Sequence, residues 1–112
     1  MAIAPDALWG ISVLTASAAA IYTAPANTTT IIKRAVFLNT DTVARTITIH
    51  VIRSGGGAAA TANKIINAYP LSPNQAYVPP ELANLVLETG DAIHALASTA
   101  SVVNTLGSGF TQ

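Results

Sequence analysis

Within the stretch 45–53 (RTITIHVIR), residues 46–51 alternate between polar and apolar side chains, and no other feature constrains the fold as much. Ile47, Ile49 and Val51 fall on one face of an extended strand, whereas Thr46, Thr48 and His50 fall on the other. Alternation with a period of two is typical of a strand with one buried face. This strand therefore needs an apolar layer packed against that face.

The composition extends this conclusion to the whole chain. There are 14 Thr, 11 Ile and 8 Val, but only two each of Glu, Lys and Gln. β-branched residues pack well on a pleated sheet, and the straight-chain polar residues that favour helices are nearly missing. A chain of 112 residues is enough for one domain. We therefore expect a single all-β domain spanning residues 1–112.

A second β-branched run, residues 29–38, precedes the first strand, and the turn-forming sequence NTDT at 39–42 separates the two. We predict an antiparallel hairpin over residues 29–53. One feature conflicts with it, because Lys33 and Arg34 would point to opposite faces and one cation would enter the core. A β-bulge, a strand end or a snorkelling side chain would each relieve this conflict.

The remaining segments indicate further short strands separated by turns. Residues 54–60 and 72–80 are predicted connections, Thr89–Asp91 a turn, and 107–112 a short flexible tail. An alternative for residues 16–20 is a helical turn. The other predicted strands are 11–14, 19–22, 64–71, 85–88, 92–99 and 101–106. Seven to eight short strands predict a single-domain antiparallel β-sandwich, jelly-roll or Ig-like.

The small number of charged residues limits the functions that the chain can have. Five Lys plus Arg balance five Asp plus Glu, and together they are 9% of the residues. Nucleic-acid binding needs clustered cations, so we expect no nucleic-acid partner. No apolar run has the roughly 20 residues of a membrane span, and the N-terminus has no basic region typical of a signal peptide. A near-neutral chain has little electrostatic protection against association, which favours a component of an assembly.

The residues that carry catalysis in other proteins are nearly missing. With no Cys, neither disulfides nor thiolate metal sites are available. His50 and His94 are the only imidazoles, and each is predicted to face solvent from a strand. Glu88 and Asp91 flank Gly90 in a predicted turn, where a structural role is favoured over cation binding. We therefore predict no enzyme activity, no cofactor and no metal site.

Two groups of large side chains are candidate interface residues. Leu8, Trp9 and Ile11 lie near the N-terminus, and Tyr69 and Tyr77 border the proline-rich connection at 72–80. Trp and Tyr are favoured anchors at protein interfaces. Two alternatives stay open for Trp9: it caps the core, or it belongs to an N-terminal arm, about residues 1–15, that docks on a neighbouring subunit.

Two stretches resemble small virion structural proteins of tailed bacteriophages. The first is IYTAPANTTTIIKRAVFLNT at 21–40, an opening that leads into a strand ending in Asn. The second is LVLETGDAIHALAS at 85–98, a Gly-Asp turn that opens a late strand. The likeness covers roughly residues 20–100 and includes no residue with a defined chemical role.

The resemblance implies a β-sandwich component of a phage particle, with head decoration (cement) proteins favoured. It implies a location on the capsid surface of the virion after assembly in the bacterial cytoplasm. The implied partners are the major capsid protein or other virion subunits, and we expect a homo-oligomer, with a trimer favoured. The alternatives are a tail, baseplate or head-tail connector protein, or a module binding a ligand or host surface, for which an exposed aromatic cluster would be diagnostic.

Overall fold

A computed structural model of the chain describes residues 4–112. Within them there are nine β-strands, a single turn of 3-10 helix at Thr61–Asn63, and no α-helix. No helix in this part of the chain is long and apolar enough to cross a membrane. The strands are β1 (Ala4–Val13), β2 (Ala19–Thr23), β3 (Thr30–Asn39), β4 (Arg45–Ile52), β5 (Lys64–Leu71), β6 (Ala76–Tyr77), β7 (Leu85–Leu87), β8 (Ala92–Ala97) and β9 (Val103–Thr111).

The strands form two antiparallel sheets packed face to face. The five-stranded sheet has the order β1-β9-β3-β6, with β7 also paired to β3, and the four-stranded sheet has the order β2-β8-β4-β5. This confirms the predicted all-β sandwich. The predicted strand at 64–71 matches β5, and the predicted connection at 72–80 contains the two-residue strand β6, which raises the strand count to nine.

The pairing identifies which sandwich this is. Strand β4 pairs with β5, β3 with both β6 and β7, β2 with β8, and β1 with β9, so along the chain each pair is enclosed by the next. The chain is thus one long hairpin rolled into two sheets, which is the jelly-roll arrangement. Of the two expected topologies, the structure has the jelly roll.

The core lies between the sheets and is built from their inward-facing residues. Phe37 on β3, Ile47 and Ile49 on β4, and Ile93 on β8 have no exposed surface. These residues alternate with more exposed ones along their strands, as the period of two predicts. Burial of such side chains contributes roughly 1.5–3 kcal/mol each, so this layer supplies most of the stabilisation.

The predicted hairpin over 29–53 is wrong, because β3 and β4 lie in different sheets. The buried Asn39 explains the crossing. Its Nδ2 donates to the Val43 carbonyl (3.0 Å) and the Leu71 carbonyl (3.1 Å), and its Oδ1 accepts from the Asp41 amide (2.9 Å). The turn is therefore fixed to the end of β5 in the opposite sheet. The apolar faces of β3 and β4 meet across the core instead of lying side by side.

A β-bulge resolves the conflict at Lys33 and Arg34. The register between β3 and β9 shifts between Ile32 and Arg34, so one extra residue is inserted in β3. Both cations are exposed, while Ile32 before them and Ala35 after them are buried. Of the three explanations left open by the sequence, the bulge is the one present.

Both chain ends differ from expectation. The predicted flexible tail at 107–112 is wrong, because β9 runs to Thr111 between β1 and β3. Residues 4–13, within the predicted arm, form β1 and pair with β9 in the same chain. Residues 1–3 of the predicted arm lie outside the described residues. The alternative helical turn at 16–20 is absent, since Ala19 and Ala20 begin β2.

Candidate functional site

The two histidines lie on adjacent strands but do not form a catalytic site. His50 on β4 is opposite His94 on β8. The prediction that His50 faces solvent is wrong, because the β4–β5 connection covers it and leaves it 4% exposed. Its Nδ1 lies 2.8 Å from Asn63 Oδ1 and 3.1 Å from the Ala60 carbonyl oxygen, so this nitrogen carries the proton and donates. His94 is half-buried.

No other cluster of acidic or imidazole side chains compensates. Within residues 4–112, no three His, Asp or Glu side chains lie close enough together to hold a metal ion. The buried polar side chains of this part of the chain all have hydrogen-bond partners. What the polar groups do instead is fix loops, as His50 does for the β4–β5 connection.

Asp91 is another of these groups. Its carboxylate accepts hydrogen bonds from the Arg53 guanidinium (2.8 Å), the Ser54 amide (2.8 Å) and the Glu88 amide (3.0 Å). Burial alone would raise the pKa of Asp91, but these three donors outweigh it and hold the pKa below its ordinary value. Gly90 has a φ of 86°. The turn interpretation of this segment is confirmed, and the carboxylate joins it to the end of β4.

The N-terminal candidate interface residues divide into two kinds. Leu8 and Trp9 are buried, at 9% and 6% exposure, whereas Ile11 is 78% exposed. The Trp9 indole Nε1 donates to Thr105 Oγ1 (3.2 Å), and its ring lies 5.9 Å from the ring of Tyr22. Of the two alternatives for Trp9, the core position is the one observed. Only Ile11 of this group is free to contact a partner.

Tyr69 and Tyr77, the other candidates, are brought together. Their rings stack with centroids 4.0 Å apart and planes 12° apart. Tyr69 belongs to β5 of one sheet and Tyr77 to β6 of the other, so the stack closes one side of the sandwich. Tyr77 Oη donates to Glu81 Oε1 (3.3 Å), and burial, with the negative charge of Glu81, raises the pKa of the Tyr77 phenol. Both residues are half-buried.

The most unusual surface is on the outer face of the five-stranded sheet. Five aliphatic side chains from the neighbouring strands β1, β9 and β3 lie on this face, flanked by Ala76 and by Asn104 on β9. We call this surface the outer patch. Its aliphatic members are Ile11 and Val13 on β1, Val36 and Leu38 on β3, and Leu106 on β9.

The strand register fixes the layout of the outer patch. One row runs from Leu38 through Asn104 to Val13, and the next pairs Val36 with Leu106. A shallow groove of about 230 Å³ lies between the rows. The patch contains no charged residue; along β3, the nearest outward-facing cation is Arg34. Ile11, Val13 and Leu106 are 78%, 47% and 41% exposed, on a face where an antiparallel sheet commonly presents polar side chains to water.

A larger groove of about 730 Å³ opens where β4 and β5 approach β7. Its apolar wall includes Ile65 and Leu85, and its charged side chains are Arg53, Lys64 and Glu81. Each of these three already has a partner within the chain: Arg53 bonds Asp91, Lys64 Nζ donates to an amide oxygen on β5 (3.3 Å), and Glu81 accepts from a tyrosine. The groove therefore presents few free polar groups to a ligand.

The exposed aromatic cluster expected of a ligand-binding module is not found within residues 4–112. All six aromatic residues of the chain are in this range, and each is buried or half-buried. Trp9 and Phe37 belong to the core, and Tyr69 and Tyr77 stack on each other.

Sequence reasoning missed the outer patch apart from Ile11. One signal was available: residues 35–38 (AVFL) are apolar without interruption, although a strand solvated on one face should alternate. Such a run in an antiparallel sheet indicates that both faces are covered.

Comparison of the chain with protein-family models, with curated proteins and with solved structures finds no match.

Proposed function

We propose that the chain is a non-enzymatic structural protein of a bacteriophage particle, and specifically a head decoration protein that binds and stabilises the capsid lattice. The observation that carries the proposal is the uncharged outer patch on a jelly-roll sandwich whose buried polar side chains, within the described residues, are all hydrogen-bonded. Large exposed apolar patches on soluble proteins mark interaction surfaces.

The fold is compatible with this role. Jelly rolls occur in viral capsid and lectin domains, so the analogy raises the expectation of a virion protein without assigning one. A decoration protein needs no catalytic group, because its role is to add contacts to the capsid. The sequence likeness at 21–40 and 85–98 points to the same class.

Physical considerations favour a repeated lattice as the partner. A chain with net charge zero and 9% charged residues has weak steering towards charged ligands. Affinity for a repeated surface instead grows through multivalency, since linked copies bind with an effective concentration that a single copy lacks. A weak apolar contact is then sufficient for stable decoration.

Add-back to undecorated capsids tests the proposal. Capsids of the phage that encodes this chain are prepared with its gene deleted, and purified protein is titrated onto them. We expect saturable binding at a fixed number of copies per capsid and a higher temperature of DNA release. Leu106→Glu, in the outer patch, should bind at least tenfold more weakly. Ile65→Glu, equally exposed on β5, should bind like the natural chain.

Two results would refute the proposal. One is the absence of saturable binding to capsids by a folded protein. The other is binding that leaves the DNA-release temperature unchanged. A special case of the first result, binding confined to isolated tails, would favour the tail, baseplate or connector alternative.

A further inference from the structure

We infer that His50 and His94 form a binding site for one divalent transition-metal ion, such as Zn²⁺ or Ni²⁺. The ion binds to one ring nitrogen of each histidine, on the outer face of the four-stranded sheet. The inference goes beyond the proposed function and does not depend on it. It departs from the sequence-based prediction of no metal site, which treated the two histidines as separate residues facing solvent.

The strand register brings the two imidazoles to the same place. His50 on β4 is directly opposite His94 on β8, and their neighbours Ile49 and Ile93 are fully buried in the core. Both imidazoles therefore leave the sheet on its outer face. Directly opposite residues of an antiparallel pair have Cβ atoms about 4.5–5.5 Å apart. Two imidazoles at this separation can reach one ion at the usual zinc–nitrogen distance of about 2.0–2.1 Å.

Hydrogen bonding prepares His50 as a metal ligand. Its Nδ1 donates to Asn63 Oδ1 (2.8 Å) and lies 3.1 Å from the Ala60 carbonyl oxygen. Because Nδ1 carries the proton, Nε2 is left unprotonated, with a lone pair for a metal ion. Histidines that bind metals almost always donate from the other ring nitrogen in this way, which fixes the tautomer and the orientation of the ring.

The direction of the hydrogen bond from Nδ1 turns Nε2 of His50 towards His94. Asn63, the acceptor, immediately precedes Lys64, which is opposite His50 on β5, and β4 lies between β5 and β8 in the sheet. The Nδ1–H bond and the Nε2 lone pair of an imidazole point in nearly opposite directions. With Nδ1 directed to the start of β5, the Nε2 lone pair is directed away from β5, to the side of the sheet where His94 lies.

Protein groups leave both histidines available to an ion. Within residues 4–112, neither Nε2 of His50 nor the side chain of His94 makes a hydrogen bond. No buried polar side-chain atom in this range is left unpaired, so these nitrogens are reached by solvent. No third acidic or imidazole side chain of the described residues is close enough to join the two histidines. Water therefore completes the coordination of the ion.

The chemistry of the ligands selects the class of ion. Imidazole nitrogen suits Zn²⁺, Cu²⁺ and Ni²⁺, whereas Mg²⁺ and Ca²⁺ prefer oxygen ligands. Two neutral protein ligands hold an ion only weakly. The ammonium of Lys64, opposite His50 on the side away from His94, adds repulsion, although its Nζ is drawn to Asn67 Oδ1 (3.3 Å). We therefore expect a dissociation constant between about 1 µM and 1 mM.

Isothermal titration calorimetry of the full chain, purified without a histidine tag, tests the inference with ZnCl₂ and NiCl₂ as probes. We expect one ion bound per chain, and no binding of MgCl₂. His94→Gln should abolish saturable binding and keep the fold, because this side chain is half-buried and makes no hydrogen bond. Lys64→Gln is the matched control, since it replaces a half-buried cation in the same row. It should leave the affinity unchanged or raise it.

Nuclear magnetic resonance of the imidazole nitrogens in the natural chain identifies the ligands without any substitution. Zn²⁺ should shift the Nε2 signal of His50 and one ring-nitrogen signal of His94, while the proton on Nδ1 of His50 stays in place. Zn²⁺ and Ni²⁺ binding weaker than about 1 mM would overturn the inference. Binding that shifts the signals of one imidazole or neither, or that a folded His94→Gln variant retains, would overturn it equally.

Discussion

The indole ring of Trp9 lies directly on Gly107, so close that a Cβ atom at position 107 would overlap it. The two residues are opposite each other on β1 and β9. Gly107 thus lets the largest side chain of the chain enter the core next to a neighbouring backbone, and Thr105 fixes the indole nitrogen. Close approach, rather than turn formation, explains this glycine.

Gly107→Ala is expected to destabilise the protein, because the added methyl must displace Trp9 or bend β9. Overpacking of this kind costs about 1–3 kcal/mol. Urea unfolding followed by tryptophan fluorescence measures the change. Ser108→Ala, at the exposed neighbouring position, is the control and should shift the free energy of unfolding by less than about 0.5 kcal/mol. Equal stability of the two variants would contradict the close packing of Trp9.

Asp91→Asn is expected to lower stability at neutral pH by about 1–3 kcal/mol, because the buried carboxylate that joins Arg53, Ser54 and the Glu88 amide loses its charge. Glu88→Gln changes an exposed carboxylate in the same turn and should have little effect. Thermal unfolding at pH 7 measures both. Similar melting temperatures for the two variants would contradict the role given to Asp91.

Asp91 should also contribute to acid sensitivity. Its pKa is lowered on folding, so the unfolded chain binds the proton more readily. The stabilisation is complete above the unfolded pKa of about 4 and is lost as the pH falls from there through the folded pKa. Unfolding free energies measured from pH 7 to pH 3 should therefore fall less for Asp91→Asn than for the natural chain. Parallel curves would show that Asp91 does not titrate in this way. Asp41, whose pKa Arg45 lowers, contributes equally to both curves.

Asn39→Ala is expected to cost about 2–3 kcal/mol, because the buried Leu71 carbonyl loses its donor and the crossing turn loses its anchor. Asn67→Ala removes an exposed amide on β5 and serves as the control. Denaturant unfolding gives both values. A loss smaller than about 0.5 kcal/mol for Asn39→Ala would mean that the turn is fixed by other contacts.

Tyr77 should add a loss of stability at alkaline pH. Burial and the charge of Glu81 raise its pKa, so the folded chain holds a proton that the unfolded chain releases near its ordinary pKa of about 10. The contribution is complete below that value and is lost as the pH rises through the folded pKa. Tyr77→Phe keeps the ring stacked on Tyr69 without the phenol, and its stability should decline less steeply with rising pH. Identical alkaline declines would contradict the stacked, shielded position of the phenol.

The sequence predicted which face of a strand is buried better than it predicted which strands pair with each other. Alternation placed Ile47 and Ile49 in the core, and composition gave an all-β sandwich. Alternation does not specify which strand lies alongside, however, and NTDT turn chemistry serves a hairpin and a crossing between sheets equally well. The choice depends on Asn39 reaching the Leu71 carbonyl, 32 residues away in the chain.

Two wrong predictions, the flexible tail that begins at Gly107 and the solvent-facing position of His50, have the same origin. Local composition predicted a flexible tail around Gly107, but a tryptophan 98 positions earlier in the sequence lies on it. A polar face predicted solvent for His50, but the glycine- and alanine-rich connection folds back over that face. The outer patch was missed because outward-facing Val36 and Leu38 look like core residues when the bulge at Lys33 is not known. Long-range contacts of this kind leave no periodic signal.

The most direct test of the proposed function is to separate particles of the phage proposed to encode this chain into heads and tails on a density gradient, and to quantify the chain by mass spectrometry. The account predicts many copies in the head fraction, in a fixed ratio to the major capsid protein. Copies confined to the tail fraction, or absent from both fractions, would contradict it.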